Sequence, residues 1–238
     1  MNIRVFADSD TVALEAAKLI ANDARQAVAT RGKFLMAVSG GKTPWIMLRD
    51  LARQDVPWNG VHVFQVDERI APEGDPDRNL THLRESLLQT APIPSEQIYA
   101  MPVESGDLKA ACARYALILE NLAGSPPVLD LIHLGLGPDG HTASLVPKDP
   151  VLEVTNADIA LSGTYQKHRR MTLTYPIINR SRRVLWLVTG SEKSGMLGRL
   201  QAGDVSIPAG RVSSDHAVIL ADRAAAHQVV NKSQSEVA

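Results

Sequence analysis

The stretch VLDLIHLGLGPDGHTASLVP, Val128 to Pro147, decides the fold class. Its opening run, Val128 to Leu134, is short, mainly apolar and bounded by Pro127 and Gly135, which predicts a strand covered on both faces. A glycine-rich segment follows at once, so Asp139 and His141 emerge at the carboxyl end of that strand. In open α/β sheets, ligands bind along this edge.

Outward from this strand, apolar runs alternate with amphipathic ones. Strands are expected at Ile3 to Phe6, Phe34 to Val38, Val61 to Val66, Gln97 to Met101, Met171 to Thr174, Val184 to Val188 and Ala217 to Leu220. Helices are expected from about Asp10 to Ala29, Pro44 to Arg53, Asn79 to Gln89, Asp107 to Ala123, Glu192 to Leu200 and Asp222 to Val230. The first has Ser9 or Asp10 as its N-cap. Such alternation implies an α/β protein with a mainly parallel sheet and helices on both faces. No repeat, low-complexity linker or domain boundary interrupts it, so residues 1–238 read as one domain.

Two glycine motifs need a physical test. Gly135, Gly137 and Gly140 satisfy G-x-G-x-x-G, but the dinucleotide reading requires a helix to start there and an acid to end a second strand about 20 residues later. Pro147 and Pro150 interrupt any long helix, and Asp139 would point a negative charge at a pyrophosphate. The second cluster, Ser39-Gly40-Gly41-Lys42-Thr43-Pro44, looks like the end of a phosphate loop of the G-x-x-x-x-G-K-[ST] type. Met36 occupies the position of the first glycine, and Ala37 likewise breaks a G-x-S-x-G nucleophile elbow. What remains is a strand, a tight turn and a helix opened by Pro44. Its free N–H groups, with Lys42 and the hydroxyls of Ser39 and Thr43, suit a phosphate monoester; an ordinary βα turn is the alternative.

Further polar clusters end further strands. Asp67, Glu68 and Arg69 follow Val61 to Val66, and Thr189 to Lys193 follow Val184 to Val188. Independent strand ends that carry glycine, acid, arginine, lysine and imidazole suggest one site assembled from the sheet.

Composition narrows the class of partner. The 238 residues carry 25 basic and 26 acidic side chains, which gives no support for a nucleic-acid surface. MNIRVFADSD lacks the apolar core of a signal peptide, and no apolar run approaches 18 residues, so no membrane association and a cytoplasmic location are expected. The single cysteine, Cys112, excludes an internal disulfide and is expected as a small buried residue.

SGGKTP at Ser39 to Pro44, DER at Asp67 to Arg69, Asn79, GLGPDGHTASLVP, RRMTLTYPIIN at Arg169 to Asn179 and TGSEKSGML at Thr189 to Leu197 together resemble the 6-phosphogluconolactonases. The likeness runs over most of the chain in the family's order. It implies a modified doubly wound, Rossmann-like α/β fold shared with the glucosamine-6-phosphate deaminases. It also implies hydrolysis of 6-phospho-D-glucono-1,5-lactone to 6-phosphogluconate in the pentose phosphate pathway, with no metal or organic cofactor and with functional coupling to glucose-6-phosphate dehydrogenase. The sister deaminases carry a glutamate five residues after the histidine and usually an aromatic residue at the arginine of DER. Here those positions are Val146 and Arg69, which favours the lactonase. The alternatives are a deaminase-like isomerase and a noncatalytic sugar-phosphate sensor.

Lactone hydrolysis needs an oriented water, a base and a cation or donor for the oxyanion. His141 is assigned as base, because a neutral imidazole accepts a proton near neutral pH. Asp139 orients His141 or a sugar hydroxyl, or simply forms a Pro-Asp-Gly turn. Arg69 is assigned to the developing carbonyl charge or a hydroxyl, and Asp67 to hydroxyl recognition or to holding the arginine; the two roles are exchangeable. The phosphate is expected on Gly40 and Gly41 with Lys42, Thr43, Arg170 and Lys193 around it, although the basic run Lys167 to Arg170 also suits a solvated surface. His62, His82, His133, His168, His216 and His227 are expected to be structural.

Overall fold

A computed structural model describes residues 1–227. In chain order its elements are β1 (Asn2–Phe6), α1 (Ser9–Arg31), β2 (Phe34–Val38), α2 (Lys42–Leu51), β3 (Val61–Gln65), β4 (Asp67–Arg69), α3 (Asn79–Leu83), β5 (Ile98–Tyr99) and α4 (Leu108–Ala123). Then follow β6 (Leu131–Gly135), β7 (Ile159–Tyr165), β8 (His168–Leu173), α5 (Tyr175–Arg180), β9 (Val184–Val188), α6 (Ser194–Gln201) and β10 (Ala217–Asp222). The expected helix from Asp222 is seen as helical residues 223–227, and 228–230 lie outside the described residues.

Seven strands form one parallel sheet in the order β1-β10-β9-β6-β2-β3-β5. Every residue of β2, β9 and β10 is buried, as continuous apolar strands require when helices cover both faces. The period-two alternation sorts them into two cores. Phe34, Met36, Val38, Leu185 and Leu187 pack with Ala16, Ile20, Ala24, Met47 and Leu83 of α1, α2 and α3. Leu35, Ala37, Ile132, Leu134, Trp186 and Val188 pack with Tyr115, Leu119, Ile177 and Leu197 of α4, α5 and α6. Among the described residues no helix is long and apolar enough to cross a membrane.

Local chemistry moves some boundaries. α1 is capped by Asp8, whose carboxylate accepts from Thr11 N at 2.8 Å, rather than by Ser9 or Asp10. β6 begins at Leu131 because the Asp130 carboxylate takes the Leu35 N–H at 2.9 Å and pairs with Arg31 at 2.7 Å. Cys112 is half-buried rather than enclosed, and burial pushes its thiol up, which disfavours the reactive thiolate.

The largest departure is a second sheet, antiparallel, in the order β4-β8-β7. The run expected at Met171 to Thr174 is a strand, but it belongs here. Val66 is the pivot: its N–H donates to Val38 O at 3.0 Å in the main sheet, and its carbonyl accepts from Leu173 N at 2.8 Å in the second. The chain therefore leaves one sheet and enters the other within Gln65 to Asp67.

Tyr115 fixes this exit from behind. Its hydroxyl accepts from Gln65 N at 3.1 Å and donates to Tyr99 O at 3.1 Å, with the side chain fully buried. Tyr115→Phe removes both hydrogen bonds of a buried hydroxyl and is expected to lower stability by about 1–3 kcal/mol. Denaturant unfolding should show a lower midpoint with an unchanged slope.

Candidate active site

In the sheet order, β2 leads to β3 on one side while β6 leads to β9 on the other. The carboxyl ends of β2 and β6 therefore flank the point where strand order reverses, and a crevice opens between their loops. A cleft of about 480 Å³ occupies it, within the size range of small-molecule sites.

The loop after β2 forms one wall. Gly41 caps α2 without a side-chain hydrogen bond, so no cap side chain takes up the first N–H groups of the helix. Ser39 is tied down by its N–H to His133 Nδ1 at 3.2 Å and by its Oγ donating to His133 O at 3.1 Å. Thr43 Oγ1 lies 2.7 Å from Thr189 Oγ1, which joins this loop to the one after β9. Gly40 is required by contact: a Cβ there would stand 2.1 Å from Asn79 Oδ1.

The loop after β6 forms the opposite wall. His141 Nδ1 lies 2.5 Å from Asp139 Oδ1, which also accepts from His141 N at 3.1 Å. This fixes the proton on Nδ1 and leaves Nε2 with a free lone pair. Gly137 lies under the ring, where a Cβ would stand 2.1 Å from Nδ1. Burial pushes the Asp139 carboxyl up, but the charge of His141 and the hydrogen bonds from His141 and Tyr165 outweigh it and hold the group below its ordinary value.

The antiparallel sheet supplies the third wall. Arg69 and Arg170 face each other in the β4–β8 register, and the buried Nε of each lacks a hydrogen-bond partner. Arg170 is only 3% exposed, so it is not part of a solvated basic surface. Burial and the neighbouring Arg69 charge both disfavour its guanidinium. Two adjacent cations with free N–H groups are an arrangement that an anion relieves. Asp67 accepts from Ser144 Oγ at 2.6 Å and, through its carbonyl, from Asn79 Nδ2 at 2.9 Å. Behind it the fully buried Glu68 accepts from the N–H groups of Arg69, Asn79 and Leu80 and from Gln65 Nε2, all within 2.8 Å.

Ser39, Gly40, Gly41, Lys42, Thr43, Asp67, Arg69, His141, Arg170 and Lys193 all line this cleft. Asp139 stands behind His141 instead. Sequence reasoning left out Asn79 as a site residue, Tyr165 and Asp222. Asp222 ends β10, lines the cleft and accepts from Gly190 N at 3.1 Å; it carried the same strand-end signal as the others. Tyr165 had no such signal, since its strand was not foreseen. Among the described residues no group of three or more His, Cys, Asp or Glu side chains is placed to hold a metal ion.

A family model described as glucosamine-6-phosphate isomerases/6-phosphogluconolactonase matches residues 7–221. The chain belongs to this family. It is 39% identical over 239 residues to 6-phosphogluconolactonase of Mycobacterium tuberculosis, covering 94% of this chain and 97% of the relative. The corresponding Synechocystis protein is 41% identical over 181 residues, with 74% and 75% covered. The crystal structure of 6-phosphogluconolactonase from Thermotoga maritima superposes with a TM-score of 0.82 at 27% identity, covering 93% of this chain and 98% of that one.

His133 yields a measurable consequence. Burial pushes its imidazole down to about 3. In the unfolded chain it binds a proton below about 6.5, so stability is complete above that pH and is lost as pH falls toward 3. His133→Asn should reduce the proton uptake of unfolding by about one between pH 6 and 4, read from the slope of stability against pH.

Proposed function

We propose that this chain hydrolyses 6-phospho-D-glucono-1,5-lactone to 6-phosphogluconate. The observation that carries the reading is His141, backed by Asp139, in one cleft with the Ser39–Thr43 loop and the Arg69–Arg170 pair. An anion-binding wall and a basic imidazole across 480 Å³ suit a small phosphorylated electrophile.

In this mechanism the phosphate sits on the backbone of Gly40 and Gly41 at the start of α2, with Lys42, Thr43 and Lys193 around it. Arg170 is assigned to the same group or to the ring. The remote phosphate supplies binding energy that holds the lactone carbonyl beside His141. His141 Nε2 takes a proton from water as its oxygen bonds to the carbonyl carbon. Arg69 stabilises the oxyanion, and Asp67, whose carboxylate is held by Ser144 and Asn79 and makes no ion pair with Arg69, takes a sugar hydroxyl. Collapse of the tetrahedral species breaks the bond to the ring oxygen, which receives the proton held by His141. Asp139 keeps the imidazole in the required tautomer throughout.

Deaminase chemistry is disfavoured because the position of its glutamate is Val146, an apolar side chain only 5% exposed. A purely sensing role would leave the Asp139–His141 pair without a use.

The test is the loss of lactone generated in situ, followed above its spontaneous hydrolysis without added metal. His141→Ala should lower turnover by roughly 10² to 10⁴ with the fold intact. Unphosphorylated gluconolactone should be a far poorer substrate, and equal efficiency on both lactones would remove the phosphate assignment.

A further inference from the structure

Tyr165 does not line the cleft, yet it touches three of the groups that the proposed mechanism uses. Its hydroxyl donates to Asp139 Oδ2 at 3.0 Å, the oxygen that His141 leaves free. Its ring meets the imidazole of His141 edge-on, with centroids 5.2 Å apart and planes at 64°. Arg170 lies over the same ring at 5.1 Å and donates to the Tyr165 carbonyl at 3.3 Å.

The backbone holds the side chain there. Tyr165 pairs with His168 across a two-residue turn made by Gln166 and Lys167, whose φ values are 47° and 73°. Turns of this hand match the twist of a hairpin but favour Asn and Gly at both positions. Here two residues with full side chains adopt the left-handed conformation instead, an unfavourable choice that persists when surrounding contacts over-determine it. At this turn Arg170 donates to the Tyr165 carbonyl at 3.3 Å and to Gln166 Oε1 at 3.4 Å.

We propose that Tyr165 is a positioning residue for the hydrolysis, acting on the base through Asp139 and on the cationic wall through Arg170. This rests on the functional reading above. A carboxylate that is a third exposed and held at one oxygen can rotate; one held at both oxygens cannot, and the imidazole bonded to it inherits that rigidity. A tyrosine merely covering surface would give its hydroxyl to solvent rather than to this carboxylate.

Kinetics on the full chain separate the two couplings. Tyr165→Phe keeps the ring and removes the hydroxyl, so kcat should fall roughly tenfold, as for one hydrogen bond to a charged group, with KM within about twofold. Tyr165→Leu should lose as much in kcat and also raise KM roughly fivefold, because Arg170 loses its aromatic face. In an Asp139→Ala background, Tyr165→Phe should have no further effect on kcat, since residues acting as a unit are not additive. Melting curves of each variant control for folding. Wild-type kcat in Tyr165→Phe, or losses that multiply in the double variant, would overturn the assignment while leaving the lactonase reading intact. Absence of lactonase activity in the wild-type chain would remove that reading first, and the assignment with it.

Discussion

The pairing of β2 with β6 is the constraint on which the remaining structure depends. These strands are neighbours in space but are separated in the chain by two strands of the same sheet. The connection after one runs away from the connection after the other, so no crossover helix covers the seam at its carboxyl end. The ladder carries Met36 and Ala37 against Leu131 and Ile132, and the Ser39–His133 hydrogen bonds extend the link beyond it. One wall of the cleft is thereby bonded to the strand that carries the other. His133 can do this only while neutral, because its Nδ1 must accept the Ser39 N–H.

The second sheet solves a different problem. A parallel sheet delivers polar loops to one edge, but loops alone do not hold two guanidinium groups side by side. Redirecting the chain at Val66 places Arg69 on a strand opposite Arg170, so the backbone ladder fixes their spacing. Buried charge nearby is tolerated because it is fully partnered. Glu68 receives three backbone N–H groups and an amide, forms an ion pair with the Arg78 guanidinium at 3.3 Å, and in doing so sets the start of α3 and the position of Asn79. A carboxylate with that many donors is a structural anchor.

Much of this was legible from the sequence because the parallel strands are short apolar runs and the cleft gathers their carboxyl ends. Ser39 to Thr43, Asp67, Arg69, His141 and Lys193 each follow such a run, and each borders the cleft. The antiparallel sheet was not legible. β7 reads IALSGTY, with a glycine and no sustained alternation, and β8 opens on His168, Arg169 and Arg170, a composition typical of exposed loops. Long-range pairing, rather than local propensity, makes these residues strands. The role of Glu68 was hidden for a related reason: its partners lie 1 to 12 positions away, and nothing local distinguishes this buried acid from the exposed Glu73 and Asp77 that follow it.

The G-x-G-x-x-G pattern shows how one spacing can have two physical causes. In a dinucleotide fold the middle glycine admits a pyrophosphate to the backbone. Here Gly137 admits an imidazole of the same loop: the chain turns back, Gly137 N donates to His141 O at 2.8 Å, and the ring settles where a Cβ would otherwise stand. No helix starts behind the loop, the next helical turn being Pro150–Glu153, so no helix N-terminus faces the ligand on this side. Across the cleft, α2 starts at Lys42, which lines it. Glycine spacing alone reports only that something approaches the backbone closely, and the residues two and four positions on, Asp139 and His141, decide what it is.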